Sequence, residues 1–275
     1  MSIRRIYRNH GFDGLIYRLL KFLGFKMKYL DLIDKKTFYL GERIKKFSNQ
    51  RIISGEYKDT YIKGNSVWNS RDVCSKYLGV YEKQIQSLIA DSQKKFNLEY
   101  FVNFGASDGY HILGNLKNKK FKKGFAFEID KKERDNLRSN IENNNLSDTI
   151  DIFGEANFKK ILEIFNPDMF RKTLFLIDIE GHEFNLFNSK VEFPEELKSC
   201  FFIIENHSFL IGDDNSKKDF EDFINRNFSV EIIKNSERDP YRFDFIKDIS
   251  DDDRWLMMSE QRPCEMYWFF LKPKN

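Results

Sequence analysis

Cysteine, proline, long apolar runs and charge of one sign are all in short supply in this chain. Cysteine occurs 3 times in 275 residues, as Cys74, Cys200 and Cys264. The wide spacing leaves no disulfide framework and no CxxC or Cys/His ligand pattern, so a reducing, cytoplasmic setting is expected. Proline is scarce at 5, whereas phenylalanine reaches 29, a bias with no mechanism attached at this level. Long apolar runs are missing as well. The N-terminal stretch LIYRLLKFLGF is interrupted by Arg18 and Lys21, which rules out a signal-peptide core or a membrane span of about 20 apolar residues.

Charge of one sign is also lacking over most of the chain, whose formal net charge is +3. The excess lies at the front: Arg4, Arg5, Arg8, Arg18, Lys21, Lys26 and Lys28 stand against Asp13 alone. A broad basic face is therefore absent, and nucleic acid is not an expected partner. Ile16, Leu19, Leu20, Phe22, Leu23 and Phe25 are interleaved with those cations. Residues 1–30 thus read either as an interfacial helix docking peripherally on the inner membrane surface, or as a helix packing on its own domain or on a second copy in a homo-oligomer.

What is present is an apolar content of 41%, adequate for one sizeable α/β domain with an appendage. Residues 1–75 read as a helical extension and connector. In VYEKQIQSLIADSQKKF, the positions Tyr81, Ile85, Leu88, Ile89 and Phe96 form one helical stripe. From residue 98 strand-like and helix-like segments alternate: LEYFVNF, GFAFEI, TIDIFG, TLFLIDI and CFFIIENH are each followed by a helical pattern. In the last of these helices Ser216 and Asp219 have capping-box spacing. Continuous apolar strands imply helices on both sheet faces, so residues 76–275 are expected to form a doubly wound, Rossmann-like parallel sheet. FSVEIIKN and EMYWFFLKP add two strands around a polar, acidic and aromatic insert at about 236–264.

In such sheets ligands bind beyond the C-terminal strand ends. The first strand ends in FVNFGASDGYH. Gly105 lets the backbone approach a ligand, and Gly109 lies where the chain enters a helix whose free N–H groups suit an anion. The spacing is G-x-x-x-G, and the absence of G-x-G-x-x-G disfavours a nicotinamide or flavin dinucleotide. Glu128, ending the second strand, is placed to accept both hydroxyls of a ribose. Together these features describe a nucleoside pocket without a pyrophosphate cradle, which S-adenosylmethionine fits, its adenine toward Gly154 and Glu155. A plainer reading makes the glycines an ordinary tight turn and Glu128 a solvated acid.

The fourth and fifth strands end in LFLIDIEGHEF and FFIIENHSF, bringing Asp178, Glu180, His182, Glu183, Glu205 and His207 to one sheet edge. A hydroxyl that is to be alkylated must lose its proton, so an imidazole or carboxylate here suits a general base. A divalent cation held by Asp178, Glu205 and a histidine is the alternative, though it is not the favoured one. The same acids also read as helix caps, and the histidines as loop hydrogen-bonders.

Taken in order, YLGVYEKQIQSL, FVNFGASDGYH, FAFEID, LFLIDIEGHEF and FFIIENHSF resemble the FkbM-type S-adenosylmethionine-dependent methyltransferases over roughly residues 77–210. Asp178-Ile179-Glu180-Gly181-His182-Glu183 matches that family's D-x-E-G-x-E segment. The resemblance implies a class I methyltransferase fold acting on hydroxyls of saccharides in surface glycans or of related small molecules. It implies a cofactor-binding set of Tyr81, Glu82, Asn103, Gly105, Ala106, Ser107, Asp108, Gly109, Glu128, Ile129, Glu155 and Asp178. Asn103 departs from the acid that many such enzymes carry before the glycine turn, with Asp108 as its substitute.

The expected base is His207, its imidazole at an ordinary pKa near ~6.5, with Asp178 orienting acceptor or cofactor and His182 as the alternative. Glu180, Glu205, Arg254 and Trp255 are assigned to the acceptor, since an aromatic ring and a guanidinium suit a sugar. Asp251, Asp252 and Asp253 read as a solvated turn, and Cys264 as structural. Two competing functions remain: a non-catalytic cofactor-binding or scaffold module, and a nucleic-acid methyltransferase. The latter is disfavoured because no N/D-P-P-Y/F/W element follows the fourth strand.

Overall fold

The apolar runs become five parallel strands: β1 (Tyr100–Phe104), β2 (Lys123–Phe127), β3 (Ile150–Phe153), β4 (Thr173–Ile177) and β5 (Phe201–Glu205). Two more, β6 (Phe228–Ile233) and β7 (Trp268–Pro273), complete a seven-stranded sheet of order β3-β2-β1-β4-β5-β7-β6. The computed structural model describes residues 32–63, 72–260 and 262–274, with Ile16 and Leu19. The two readings of residues 1–30 therefore fall largely outside the described residues. No helix among the described residues is long and apolar enough to cross a membrane.

The parallel sheet expected from the sequence is formed by β1 to β5, and the two further strands add an antiparallel edge. β7 runs antiparallel to both β5 and β6 and lies between them. Such a return strand pairs without the crossover helix that a parallel neighbour requires. Elsewhere the winding is as expected, and strand order reverses between β1 and β4, which makes their C-terminal ends the crevice where such sheets take ligands.

Ten helices of the described residues surround the sheet: α1 (Leu32–Ser48), α2 (Val73–Leu78), α3 (Lys83–Phe96), α4 (Tyr110–Lys117), α5 (Lys131–Asn143), α6 (Phe158–Ile164), α7 (Pro167–Phe170), α8 (Glu183–Leu186), α9 (Asp214–Asn227) and α10 (Asp251–Met258). Strand side chains alternate between the two faces. Phe101, Ala126, Leu174 and Ile203 pack with Ile85, Ile89, Ile112, Leu113 and Leu137 of α3, α4 and α5. Phe104, Phe127, Phe175 and Phe202 pack on the opposite face with Phe158, Phe187, Phe193 and Phe220. The abundance of phenylalanine thus has a place in the fold. Phe158 meets Phe187 and Phe193 edge-on at centroid distances of 5.6 and 5.3 Å, an arrangement worth about 0.5–1.5 kcal/mol per pair beyond burial.

A third apolar cluster joins segments far apart in sequence. Leu40, Ile44, Val73, Tyr77 and Leu78 pack with Phe243, Ile246, Ile249, Met257 and Met258. The extension and the insert therefore form one layer, and α2 runs across the boundary expected near residue 75. Three local expectations are corrected. The acids Asp251, Asp252 and Asp253 are the first turn of α10, with Ser250 as N-cap, where negative charge suits the helix dipole. The N-cap of α9 is Asp213, whose carboxylate accepts from the N–H groups of Asn215 and Ser216, while Asp219 binds the Ser189 hydroxyl instead. Cys264 is exposed, so it belongs to no core.

Candidate functional site

The turn after β1 is built around two left-handed glycines. A Cβ on Gly105, at φ +78°, would lie 1.7 Å from the Asp178 carbonyl oxygen. The turn can only pass this close to the end of β4 because no side chain is there. Gly109, at φ +91°, starts α4. The N–H groups of Gly105 and Ala106 both donate to the Phe127 carbonyl at 2.9 Å, tying the turn to β2.

Glu128 is buried and spans the same junction. Its Oε2 accepts the Ser107 N–H and its Oε1 the Asp130 N–H, each at 2.8 Å. The reading of Glu128 as merely solvated is thereby corrected. Each carboxylate oxygen offers a second lone pair, so two ribose hydroxyls can add to these bonds. Asn103 is buried in β1. Asp108 is buried too, paired with Lys76 at 2.9 Å and accepting the Tyr110 N–H at 3.1 Å. Burial disfavours the Lys76 charge, but Asp108 and Asp72 outweigh it and raise its pKa. Tyr81 lies next to this group, with the Lys76 ammonium 5.2 Å from its ring centroid.

At the ends of β4 and β5 the carboxylates gather around His207. Its Nε2 is 3.6 Å from Asp178 Oδ1, 3.7 Å from Glu180 Oε2 and 3.6 Å from Glu205 Oε2. Its Nδ1 lies 2.9 Å from Glu183 Oε1. Glu183 is itself held by the N–H groups of His207 and Gly181, at 3.2 and 3.0 Å. Burial disfavours the imidazolium, yet the Glu183 hydrogen bond and the Asp178 and Glu180 charges outweigh it, so His207 titrates above its ordinary value. An unperturbed imidazole was the expectation, and the surrounding acids correct it. Burial pushes Asp178 up to about 6, against the pull of His207. Glu205 is raised as well, by burial and then by the Asp178 and Glu82 charges. His182 does not join this group; it is exposed at the start of α8.

A second ionic cluster backs the first, and its main member escaped the sequence reading. Arg262 pairs with Glu205, Glu82 and Glu260, the last at 2.7 Å. Glu82 is 1% exposed and also binds His111 Nε2 at 2.8 Å. Burial alone would raise the Glu82 carboxyl, but His111 and Arg262 prevail and hold it down to about 2. His111 continues to the Tyr57 hydroxyl at 3.0 Å, which accepts from Asn115 at 3.1 Å. Both Glu82 oxygens are thus engaged inside the protein, where the chain enters α3.

Glu155 and Ile129 are exposed after β3 and β2. Arg254 stacks on Tyr241, 4.6 Å from its centroid, and lies 3.8 Å from Asp251. Trp255 is 49% exposed, on the same helix α10. The described partners of Arg254 are within the insert itself.

No protein-family model matches the chain, and no curated protein matches it. Among solved structures it is similar to an O-methyltransferase from Bacillus cereus in complex with SAH, with 11% identity, 94% of this chain and 97% of that chain covered, and a TM-score of 0.46. It is similar to cofactor-bound Rv0187 from MTB, at 8% identity, 94% and 97% coverage and a TM-score of 0.46. It is also similar to a precorrin-6y C5,15-methyltransferase from Geobacter metallireducens GS-15, at 12% identity, 69% and 89% coverage and a TM-score of 0.41. At these identities and scores the likeness assigns no activity; the side chains of the site have to supply it.

Proposed function

We propose that the chain is an S-adenosylmethionine-dependent O-methyltransferase, resembling the FkbM type, that acts on a hydroxyl of a saccharide or related small molecule. The observation that carries this reading is the contact between Gly105 and Asp178. It sets a nucleoside-type turn, with a buried acid beside it, directly against an acid–imidazole cluster fit to take a proton.

The residues present suit the cofactor. Glu128 offers free lone pairs at the ribose position, and Gly105 leaves the backbone approachable. When bound, S-adenosylmethionine would supply an electrophilic sulfonium methyl with a neutral thioether as its leaving group. The chain contributes proximity and proton removal. Asp178 takes the role of base in place of His207: its side chain is 30% exposed against 3% for the imidazole, so an acceptor hydroxyl can reach it. His207 stands behind it and stabilises the carboxylate.

Calorimetry with S-adenosylmethionine tests the pocket. The full chain is expected to bind it, and Glu128→Ala to weaken binding about tenfold or more, as loss of charge-assisted bonds of ~1.5–3 kcal/mol implies. Failure of the full chain to bind overturns the reading. Turnover of a methyl-labelled cofactor on glycan extracts then tests the acceptor class. Asp178→Asn is expected to lower the rate by ~10²–10⁴ while sparing cofactor affinity.

A further inference from the structure

We infer that the cup formed by Asp178, Glu180 and His207 is a binding site for one divalent first-row transition cation. This rests on the geometry of the cup and not on the methyl-transfer reading. One donor atom from each residue lies within 4.8 Å of the others. The separations of 3.6 and 3.7 Å between Nε2 and the Asp178 and Glu180 oxygens exceed hydrogen-bond reach. They are close to the edge of a tetrahedron, about 3.3–3.6 Å, whose corners stand ~2.0–2.2 Å from a shared ion.

His207 is an independent pointer to such a ligand. It is 2% exposed, and its Nε2 makes no hydrogen bond among the described residues although it aims at the carboxylates. Glu183 Oε1 accepts from Nδ1–H, so in the neutral ring the lone pair lies on Nε2, as metal-bound imidazoles require. The charge balance agrees. Asp178, Glu180 and Glu205 converge here, and the adjacent cation, Arg262, contacts Glu205 while also serving Glu82 and Glu260.

The donor set is one imidazole nitrogen with carboxylate oxygens and no thiolate. It suits ions such as Mn²⁺ or Zn²⁺ better than Ca²⁺ or Mg²⁺, which prefer oxygen alone. Glu180 is 68% exposed at its side chain, so the cup is open outward and leaves room for a water or an acceptor hydroxyl. A hydroxyl held at the ion would have a lowered pKa, beside the Asp178 carboxylate.

The test uses the full chain stripped with chelator and titrated with Mn²⁺, free Mn²⁺ being followed by its electron paramagnetic resonance signal. A single ion per chain, displaced by Zn²⁺ and weakened at least about tenfold by Glu180→Gln and by His207→Gln, supports the site. Glu163→Gln, a surface control, is expected to bind like the parent. Circular dichroism of Glu180→Gln, whose side chain is exposed, verifies that the fold is kept. Absence of Mn²⁺ and Zn²⁺ binding, or equal binding by the parent and Glu180→Gln, overturns the inference. Binding of Mn²⁺ without binding of S-adenosylmethionine would retain the metal site and remove the methyltransferase reading; the reverse result would do the opposite.

Discussion

Gly105 and Gly109 are four residues apart and both left-handed, yet their substitutions should behave differently. An alanine at 105 must displace the Asp178 carbonyl, a backbone atom 1.7 Å from the added carbon. An alanine at 109 meets the ends of the Leu137 and Leu113 side chains, 2.6 and 2.8 Å away, which can turn aside. Both carry the left-handed penalty of about 1–2 kcal/mol. Gly105→Ala is therefore expected to lower the melting temperature further than Gly109→Ala and to abolish cofactor binding. Thermal melts with calorimetry decide; equal effects would show that the Gly105–Asp178 approach is not tight in solution. The position of Gly105 was legible in the sequence because it is set locally, at the end of an apolar run, as are the positions of Glu128, Asp178 and His207. Arg262 was not, because its partner Glu82 is 180 positions away and no pattern near residue 262 announces the pairing.

The elements show the same division between near and far. The strands were readable because both faces are buried and their runs are continuous. What failed were details governed by one side-chain choice or by tertiary packing. The Ser216 and Asp219 spacing suggested one start for α9, but an acid three residues earlier, Asp213, captures the first N–H groups and the Ser216 hydroxyl, the latter at 2.7 Å. Asp213→Ala is accordingly expected to destabilise the protein by about 1 kcal/mol. Ser216→Ala should cost less, since the two backbone N–H groups keep their acceptor. Chemical denaturation of both variants checks the order, and a larger loss from Ser216→Ala would make Ser216 the cap instead. The helix α10 was hidden for a different reason. Its apolar residues Met257 and Met258 find their partners on α1 and α2, about two hundred positions upstream, which no local periodicity reports.

At the scale of the whole molecule, Arg262 ties together the entry to α3 through Glu82, the end of β5 through Glu205, and the insert through Glu260. Removing one partner of a buried pair leaves the other charge uncompensated, which costs about 3–5 kcal/mol. Arg262→Met keeps much of the volume and is expected to lose that amount near neutral pH. The pH dependence gives the loss a signature. In the parent protein the folded-state pKa of Glu82 lies at about 2, below its ordinary 4.5. The native state therefore binds fewer protons than the unfolded one in that window, and stability present above about pH 4.5 is lost as pH falls toward 2. Without the guanidinium, one of the groups that hold Glu82 down is gone while His111 remains, so the Glu82 pKa moves back toward its ordinary value and the variant loses less stability than the parent on acidification. The stability gap between the two proteins should accordingly narrow as pH falls from neutral toward 3. Urea denaturation across that range measures it, and a gap that stays constant would mean that Arg262 acts by packing alone, its charge contributing nothing to the joint between extension, sheet and insert.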